Sequence, residues 1–235
     1  MALFSISDLH LPLGVDKPMD VFGPAWDDYV NRLEKNWREC VRADDWVVLP
    51  GDFCWAMHLS EAKKDFDFLD SLPGVKILLK GNHDYWWDTV SKLRRYVSDN
   101  AYGNIQFLQN NSYLYRDIAI CGTRLWNCPA ASGFGAEDEK IYEREIGRAA
   151  LSLADAVKRK PKEILFFTHY PPVTAAGAVD PGFLALMQKY GVKHVLYGHI
   201  HGTARQFAFV GEQNGIKFDL VSCDYLEFIP KKLTD

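Results

Sequence analysis

Five short apolar runs in this chain each end, within a few residues, at histidine, asparagine or aspartate. Residues 2–6 lead to Asp8-Leu9-His10, Trp46 to Leu49 lead to Pro50-Gly51-Asp52, and Val75 to Leu79 lead to Gly81-Asn82-His83-Asp84. Further on, Glu163 to Phe167 lead to Thr168-His169, and Val195 to Tyr197 lead to Gly198-His199-Ile200-His201. A short apolar run bounded by turn residues reads as a buried strand. Polar groups at the C-terminal ends of such strands point into the crevice where open α/β sheets bind ligands.

The segments between the runs have helical spacing. From Asp27 to Arg42, the residues Val30, Leu33, Trp37, Cys40 and Val41 recur at three- and four-residue steps. Ser60 reads as an N-cap, with Lys63 where a capping box would place glutamate. The helix it opens puts Ala62, Phe66, Leu69 and Leu72 on one face and stops at Pro73-Gly74. Alternating strands and helices argue for parallel pairing through crossover connections. After a helix near Thr89 to Val97 the pattern changes to short strands, Ile105 to Leu108, Tyr113 to Tyr115 and Ile118 to Cys121, with a hairpin turn at Arg116-Asp117. A loop follows from Gly122 to Gly135. A long helix from Glu137 to Lys158 then presents Tyr142, Ile146, Ala149, Ala150, Leu153 and Val157 as its buried face. A shorter helix spans Gly182 to Tyr190, and the tail from Gln206 to Cys223 reads as an antiparallel hairpin turning near Glu212 to Gly215. With no internal repeat, low-complexity tract or linker, residues 1–235 are expected to form one domain.

Bulk properties exclude several classes. The net charge of −4 and pI near 6.0 argue against a general nucleic-acid binder. The five cysteines are odd in number, scattered, and form no Cys-x-x-Cys pair, which points to a reducing compartment. Residues before Asp8 carry no basic leader or long apolar core, and nothing approaches the ~18 apolar residues of a membrane span. The expected setting is cytoplasmic.

The polar strand ends make a donor set. Residues two apart in extended chain point the same way, so Asp8 with His10 can hold one ion, as can His199 with His201. Divalent ions of hard or borderline character take carboxylate oxygen, amide oxygen and imidazole nitrogen. Asp8, His10, Asp52, Asn82, His169, His199 and His201 suffice for two ions sharing one carboxylate. Taken singly, Gly-Asp is a common turn, Asp-x-His recurs by chance, and a lone histidine before Tyr-Pro-Pro is more often structural. The information lies in their joint occurrence after buried strands.

Asp-x-His, Gly-Asp, Gly-Asn-His-Asp, His and Gly-His-x-His in that order resemble the calcineurin-like metallophosphoesterases, over Asp8 to His201. The resemblance implies a four-layer α/β/β/α sandwich with mixed sheets. It implies one metal on Asp8, His10, Asp52 and His201, and a second on Asp52, Asn82, His169 and His199, bridged by Asp52. It makes His83 a non-ligand imidazole near the leaving group and Asp84 its orienting partner. Many relatives carry a further acid shortly after Gly-Asp; here the text is Asp52-Phe53-Cys54-Trp55, which disfavours the protein-phosphatase branch.

Phosphate esters are anionic and resist anionic nucleophiles. Two divalent ions ~3.5–4 Å apart would clamp the phosphoryl oxygens and turn a bridging water into the attacking hydroxide. Manganese, iron and zinc suit the donors, as do nickel and cobalt. For substrate contacts the sequence offers Arg124, His58 and Trp126; a surface salt bridge explains Arg124 equally well, and most aromatic residues near the motifs are expected to be core. His194 and Cys54 read as structural, and residues 127–138 as a partial lid or an ordinary long connection. The expected activity is hydrolysis of a small phosphorylated substrate. The alternatives are a phosphodiesterase acting on cyclic nucleotides or nucleic acid, and a metal-binding scaffold without catalysis.

Overall fold

In the computed structural model, residues 1–129 and 133–234 are described. The first half builds one sheet from β1 (Leu3–Ser5), β2 (Trp46–Pro50), β3 (Val75–Leu79) and β4 (Ile105–Phe107). All four run parallel, joined through α1 (Tyr29–Cys40), α2 (Lys63–Ser71) and α3 (Val90–Asp99). The second half builds another sheet from β5 (Tyr113–Tyr115), β6 (Ile118–Thr123), β7 (Glu163–Thr168), β8 (His194–Tyr197), β9 (Gly211–Gln213) and β10 (Ile216–Leu220), with α4 (Ala136–Val157) and α5 (Pro181–Tyr190). Its order is β5-β6-β7-β8-β10-β9, parallel in the middle, with β5 and β9 as antiparallel edges. A last strand, β11 (Lys231–Thr234), returns to pair antiparallel with β1.

Three cores separate four layers. Leu3, Val48, Ile77 and Leu79 of the first sheet meet Ile120, Leu165, Phe167 and Leu196 of the second. On the first sheet's other face, Phe4, Val47, Leu49 and Leu78 pack under Leu33, Trp37, Phe66, Leu69 and Leu93 of the helices. On the second sheet's other face, Ala119, Cys121, Phe166, Val195 and Phe218 pack under Ala149, Leu153, Phe183 and Met187. Strand side chains alternate faces, and here both faces are covered, which is why the strands read as continuous apolar runs. The expected α/β/β/α sandwich with mixed sheets is the observed one. No described helix is long and apolar enough to cross a membrane.

Register aligns the strand ends. Pro50 pairs with Leu79, Thr123 with Thr168, and Thr168 with Tyr197, so the polar residues leave both sheets at a common edge. There the sheets are tied together: Ser7 bridges Ser222, with Ser7 N donating to Val221 O and Cys223 N to Ser7 O.

Several expectations need correction. Strand β4 belongs to the first sheet, beside β3, so the change of sheet comes after it. Ser60 is not an N-cap. The chain turns first around the His58 carbonyl, and Glu61 reaches back to the amides of Met57 and His58 at 2.9 and 3.2 Å, the part Lys63 could not play. The buried face of α4 is rotated from the apolar one: Glu145, Ala149, Ser152, Leu153 and Ala156 are buried, while Val157 is exposed. Buried Ser152 earns its place by donating to Asn111 O and accepting from the Gly122 amide. The tail hairpin forms, turning at Asn214-Gly215 where both φ are positive, as type I′ turns require. A 3-10 segment, Gly202–Phe207, occupies its expected start.

Candidate metal centre

Three of the five polar motifs leave their strands through a left-handed backbone turn. Asp8, His10, Asp52 and His199 have φ of 57°, 45°, 53° and 70°. These are left-handed conformations, rare for non-glycine residues and costing ~1–2 kcal/mol each. The expectation that Asp8 and His10 converge through extended chain is therefore wrong. They converge because their left-handed turns run beside Asp52, with His10 N donating to Asp52 O and Leu11 N to Phe53 O. Tyr29 of α1 holds the same turn by donating to His10 O at 2.7 Å.

The side chains meet over these turns. Asp8, His10 and Asp52 present ligand atoms within 4.8 Å of one another, all three buried. Asp8 is positioned by the hydroxyls of Ser7 and Ser222 and by the His199 amide. Asp52 Oδ1 accepts the His83 amide at 2.8 Å, while Oδ2 lies 3.7 Å from His10 Nε2 and 3.4 Å from His169 Nε2. On that far side, Asn82 Oδ1 lies 2.6 Å from His169 Nε2 and 2.8 Å from His199 Nδ1, and the two nitrogens are 3.3 Å apart. The His201 ring stands 5.2 Å from that of His10, edge-on.

These residues fit metal ions. Among the described residues, both His10 ring nitrogens and Asp52 Oδ2 are buried without a hydrogen-bond partner, each an omission costing ~1–3 kcal/mol. Donors coordinated at ~2.0–2.2 Å around one ion lie about 3 Å apart, which is the spacing of Asn82, His169 and His199. Carboxylate, amide and imidazole together suit borderline divalent cations.

Glycine is required where the motifs touch. A Cβ on Gly81 would sit 2.1 Å from Asp52 Oδ1, and one on Gly198 would sit 2.4 Å from Ser7 Oγ and 2.6 Å from Asp8 Oδ2. The glycines of Gly-Asn-His-Asp and Gly-His-x-His thus make room for the carboxylates of other motifs.

Charge is distributed unevenly. Burial raises the Asp8 carboxyl, with the His169 charge opposing. Burial would also raise Asp52, but His169, His10 and the His83 amide outweigh it and hold it well below the usual carboxylate range. Burial lowers His10 and His199 to about 3. It would lower His169 too, but the charges of Asp52 and Asp8 and the Pro50 carbonyl raise it to about 9.

His83 is half-buried against Trp55, ring centres 4.7 Å apart, and 5.5 Å from the ring of His10. Its expected partner is elsewhere engaged. Asp84 accepts from the amides of Gly81, Asp52 and Phe53 and from the Trp86 indole, so it buttresses the loops, and among the described residues no hydrogen bond joins it to the His83 imidazole. Burial, then the charge of Asp52, raises the Asp84 carboxyl to about 6.

Of the expected substrate contacts, Arg124 and Trp126 lie against the centre. The Arg124 guanidinium carbon is 4.6 Å from the Trp126 ring, that ring is 5.0 Å from Tyr170, and Tyr170 packs on His199 at 4.2 Å. His58 is exposed at the head of α2, and among the described residues no hydrogen bond, ion pair or ring contact links its ring to the centre. Residues 130–132 of the expected lid lie outside the described residues. His194 is structural, as expected, 2.7 Å from Asp219. Reading by motif missed Ser7 and Ser222, which anchor Asp8; Trp55, one of the aromatic residues beside the motifs, stacks on His10 at 4.6 Å. Small hydroxyls carry no signal in one sequence; Trp55 signalled itself only by following Asp52.

Two parallel-rich sheets packed face to face, with nitrogen and oxygen donors gathered at their shared edge, define a metallophosphoesterase type of α/β sandwich. The calcineurin-like phosphoesterase family matches residues 1–203, and the chain belongs to it. That family supports a hydrolase of phosphoesters. Among solved structures, the chain is similar to the phosphopantetheinyl hydrolase of Mycobacterium tuberculosis, at 14% identity and TM-score 0.55, covering 99% of this chain and 95% of that one. It is also similar to a protein of unknown function from Aquifex aeolicus, at 14% identity and TM-score 0.52, covering 98% and 95%. At such identities the likeness is one of fold. No curated protein matches the chain.

Proposed function

We propose that the chain is a phosphohydrolase acting with two divalent cations on a small phosphorylated substrate. The observation that carries this reading is Asp52 Oδ2, buried and bare between imidazoles of the two sheets. One ion would be held by Asp8, His10, Asp52 and His201, the other by Asp52, Asn82, His169 and His199. When bound, such cations supply Lewis acidity toward phosphoryl oxygens and water.

The chain's own groups do the rest. Asp52 faces both halves of the centre and keeps its charge through the imidazoles around it. Asp8 is fixed by two serines, so its oxygens need no reorganisation. His83 rests on Trp55 beside the donors and is not needed as a ligand; its imidazole would steady the phosphoryl group or protonate the leaving oxygen. Arg124 and Trp126 would contact the substrate beyond the phosphate. The odd number of cysteines and their scattered spacing are in keeping with a cytoplasmic setting.

The test is hydrolysis of para-nitrophenyl phosphate beside bis-para-nitrophenyl phosphate, after metal stripping and refilling with manganese, iron or zinc. Turnover of the monoester that returns with two ions per chain is the expected result. Turnover of the diester alone would make the protein a phosphodiesterase. No turnover of either with both ions bound would make it a scaffold.

A further inference from the structure

Beside the centre lies a cavity of 310 Å³, of whose walls only Arg124 has so far been given a role. Its walls come from both sheets: Lys80 follows β3, Arg124 follows β6, and Glu145 and Arg148 reach in from α4. Lys80 is half-buried and has no hydrogen-bond or ion-pair partner among the described residues. Arg124 is 15% exposed; among the described residues its buried Nε has no hydrogen-bond partner, and its Nη2 lies 3.9 Å from Glu145 Oε1. Glu145, 1% exposed, is committed to Arg148 at 2.7 Å and to the Thr123 hydroxyl. The other acid at the rim, Asp88, bonds Lys92 at 2.9 Å. Among the described residues, Arg124 and Arg148 therefore share one buried carboxylate, and Lys80 has none.

Withdrawing an ammonium and a guanidinium from water without counter-charges is unfavourable unless an anion joins them. The guanidinium fork matches the paired oxygens of a carboxylate or phosphate. The cavity also adjoins the donors. Lys80 is two residues from Asn82, at most ~7 Å along the chain. The Arg124 carbonyl accepts the amides of His169 and Tyr170 at 3.2 and 2.9 Å.

We propose that Lys80, Arg124 and Arg148 bind a second anionic group of the substrate, a carboxylate or a phosphate, while its scissile phosphate occupies the metal centre. The substrate class is then a phosphoester carrying another anion a few bonds away. Calling that anion part of a substrate rests on the phosphohydrolase reading; anion binding by the cavity does not.

The test begins with metal-stripped protein at low ionic strength, titrated calorimetrically with inorganic phosphate and, separately, with malonate. Saturable binding is expected, weakened about tenfold in Arg148→Met and partly kept in Arg148→Lys. Lys80→Met removes a cation without disturbing Glu145 and should weaken binding similarly, which guards against a folding defect in the first variant. The tighter of the two anions identifies the preferred group. With metal restored, the advantage in kcat/KM of a carboxylate-bearing aryl phosphate over its uncharged analogue should shrink about tenfold in Lys80→Met. No saturable binding, or equal binding in wild type and both variants, overturns the assignment. Anion binding without hydrolysis of any phosphoester would keep the cavity's role and sink the proposed function instead.

Discussion

Asp52 Oδ2 stands 3.4 Å from Nε2 of His169, buried, with no hydrogen-bond partner among the described residues. Asp52 follows β2 of one sheet and His169 follows β7 of the other, so the pair spans the seam of the sandwich. In Asp52→Asn the amide oxygen can still accept the His83 amide, which keeps the loop in place. The charge facing the imidazoles is gone. Metal retained after dialysis should fall below one ion per chain, and turnover should fall by ~100-fold or more, with circular dichroism unchanged.

His83→Ala separates chemistry from metal binding. Its ring packs on Trp55 at 4.7 Å and is not counted among the ligands. Turnover should drop ~10²–10⁴-fold while metal content stays at the wild-type level. Loss of an ion in this variant would falsify the non-ligand role.

Gly198→Ala tests the packing of motif against motif. The new methyl would meet Asp8 Oδ2 at 2.6 Å, so the carboxylate or the His199 turn must shift. Metal affinity should weaken ~10–100-fold, and thermal stability should fall by ~1–3 kcal/mol. Unchanged affinity, measured by competition with a chelator, would show that Asp8 does not need this placement.

Lys76 lies in β3 with no exposed surface, its Nζ donating to Leu72 O at 2.6 Å. Burial lowers its pKa to about 8, from an ordinary value near 10.5. Below about pH 8 the folded protein holds a buried charge that the unfolded chain holds in water, a penalty that fades as pH rises from about 8 to 10.5. Lys76→Met should therefore stabilise the protein at pH 7 by ~1–3 kcal/mol, and the gain should shrink toward pH 10. Urea titrations at both pH values decide it; a gain that does not change with pH would assign the effect to packing.

The family match ends at residue 203, but the fold does not. Residues beyond it supply β10, inserted between β8 and β9, β11 at the edge of β1, and the Ser222 hydroxyl on Asp8. A chain ending at residue 203 should lose cooperative thermal unfolding and aggregate when expressed. A folded, metal-binding fragment would show the tail to be dispensable.

Much of this protein was legible because both sheets are covered on both faces, and covered strands leave uninterrupted apolar runs. The motifs were legible because they sit where those runs stop. Backbone turns were not: alternation in extended chain suggests that Asp8 and His10 converge, and the left-handed φ at both gives a different cause. Nor was the work of Asp84, since three amides and one indole drawn from two loops are a tertiary fact. The buried face of α4 departs from its apolar face because Ser152 and Glu145 are buried by partners far away in sequence. Strand β11, Lys-Lys-Leu-Thr, is short and charged and pairs with the opposite end of the chain.

The left-handed turns at Asp8, His10, Asp52 and His199 set stability against chemistry. Glycine at any of them would relax the backbone by ~1–2 kcal/mol while removing a donor. A laboratory selection for heat resistance alone, run without metal, should enrich glycine at these positions and yield a hardier, inert sandwich. Directed evolution of this scaffold therefore has to select on turnover in every round.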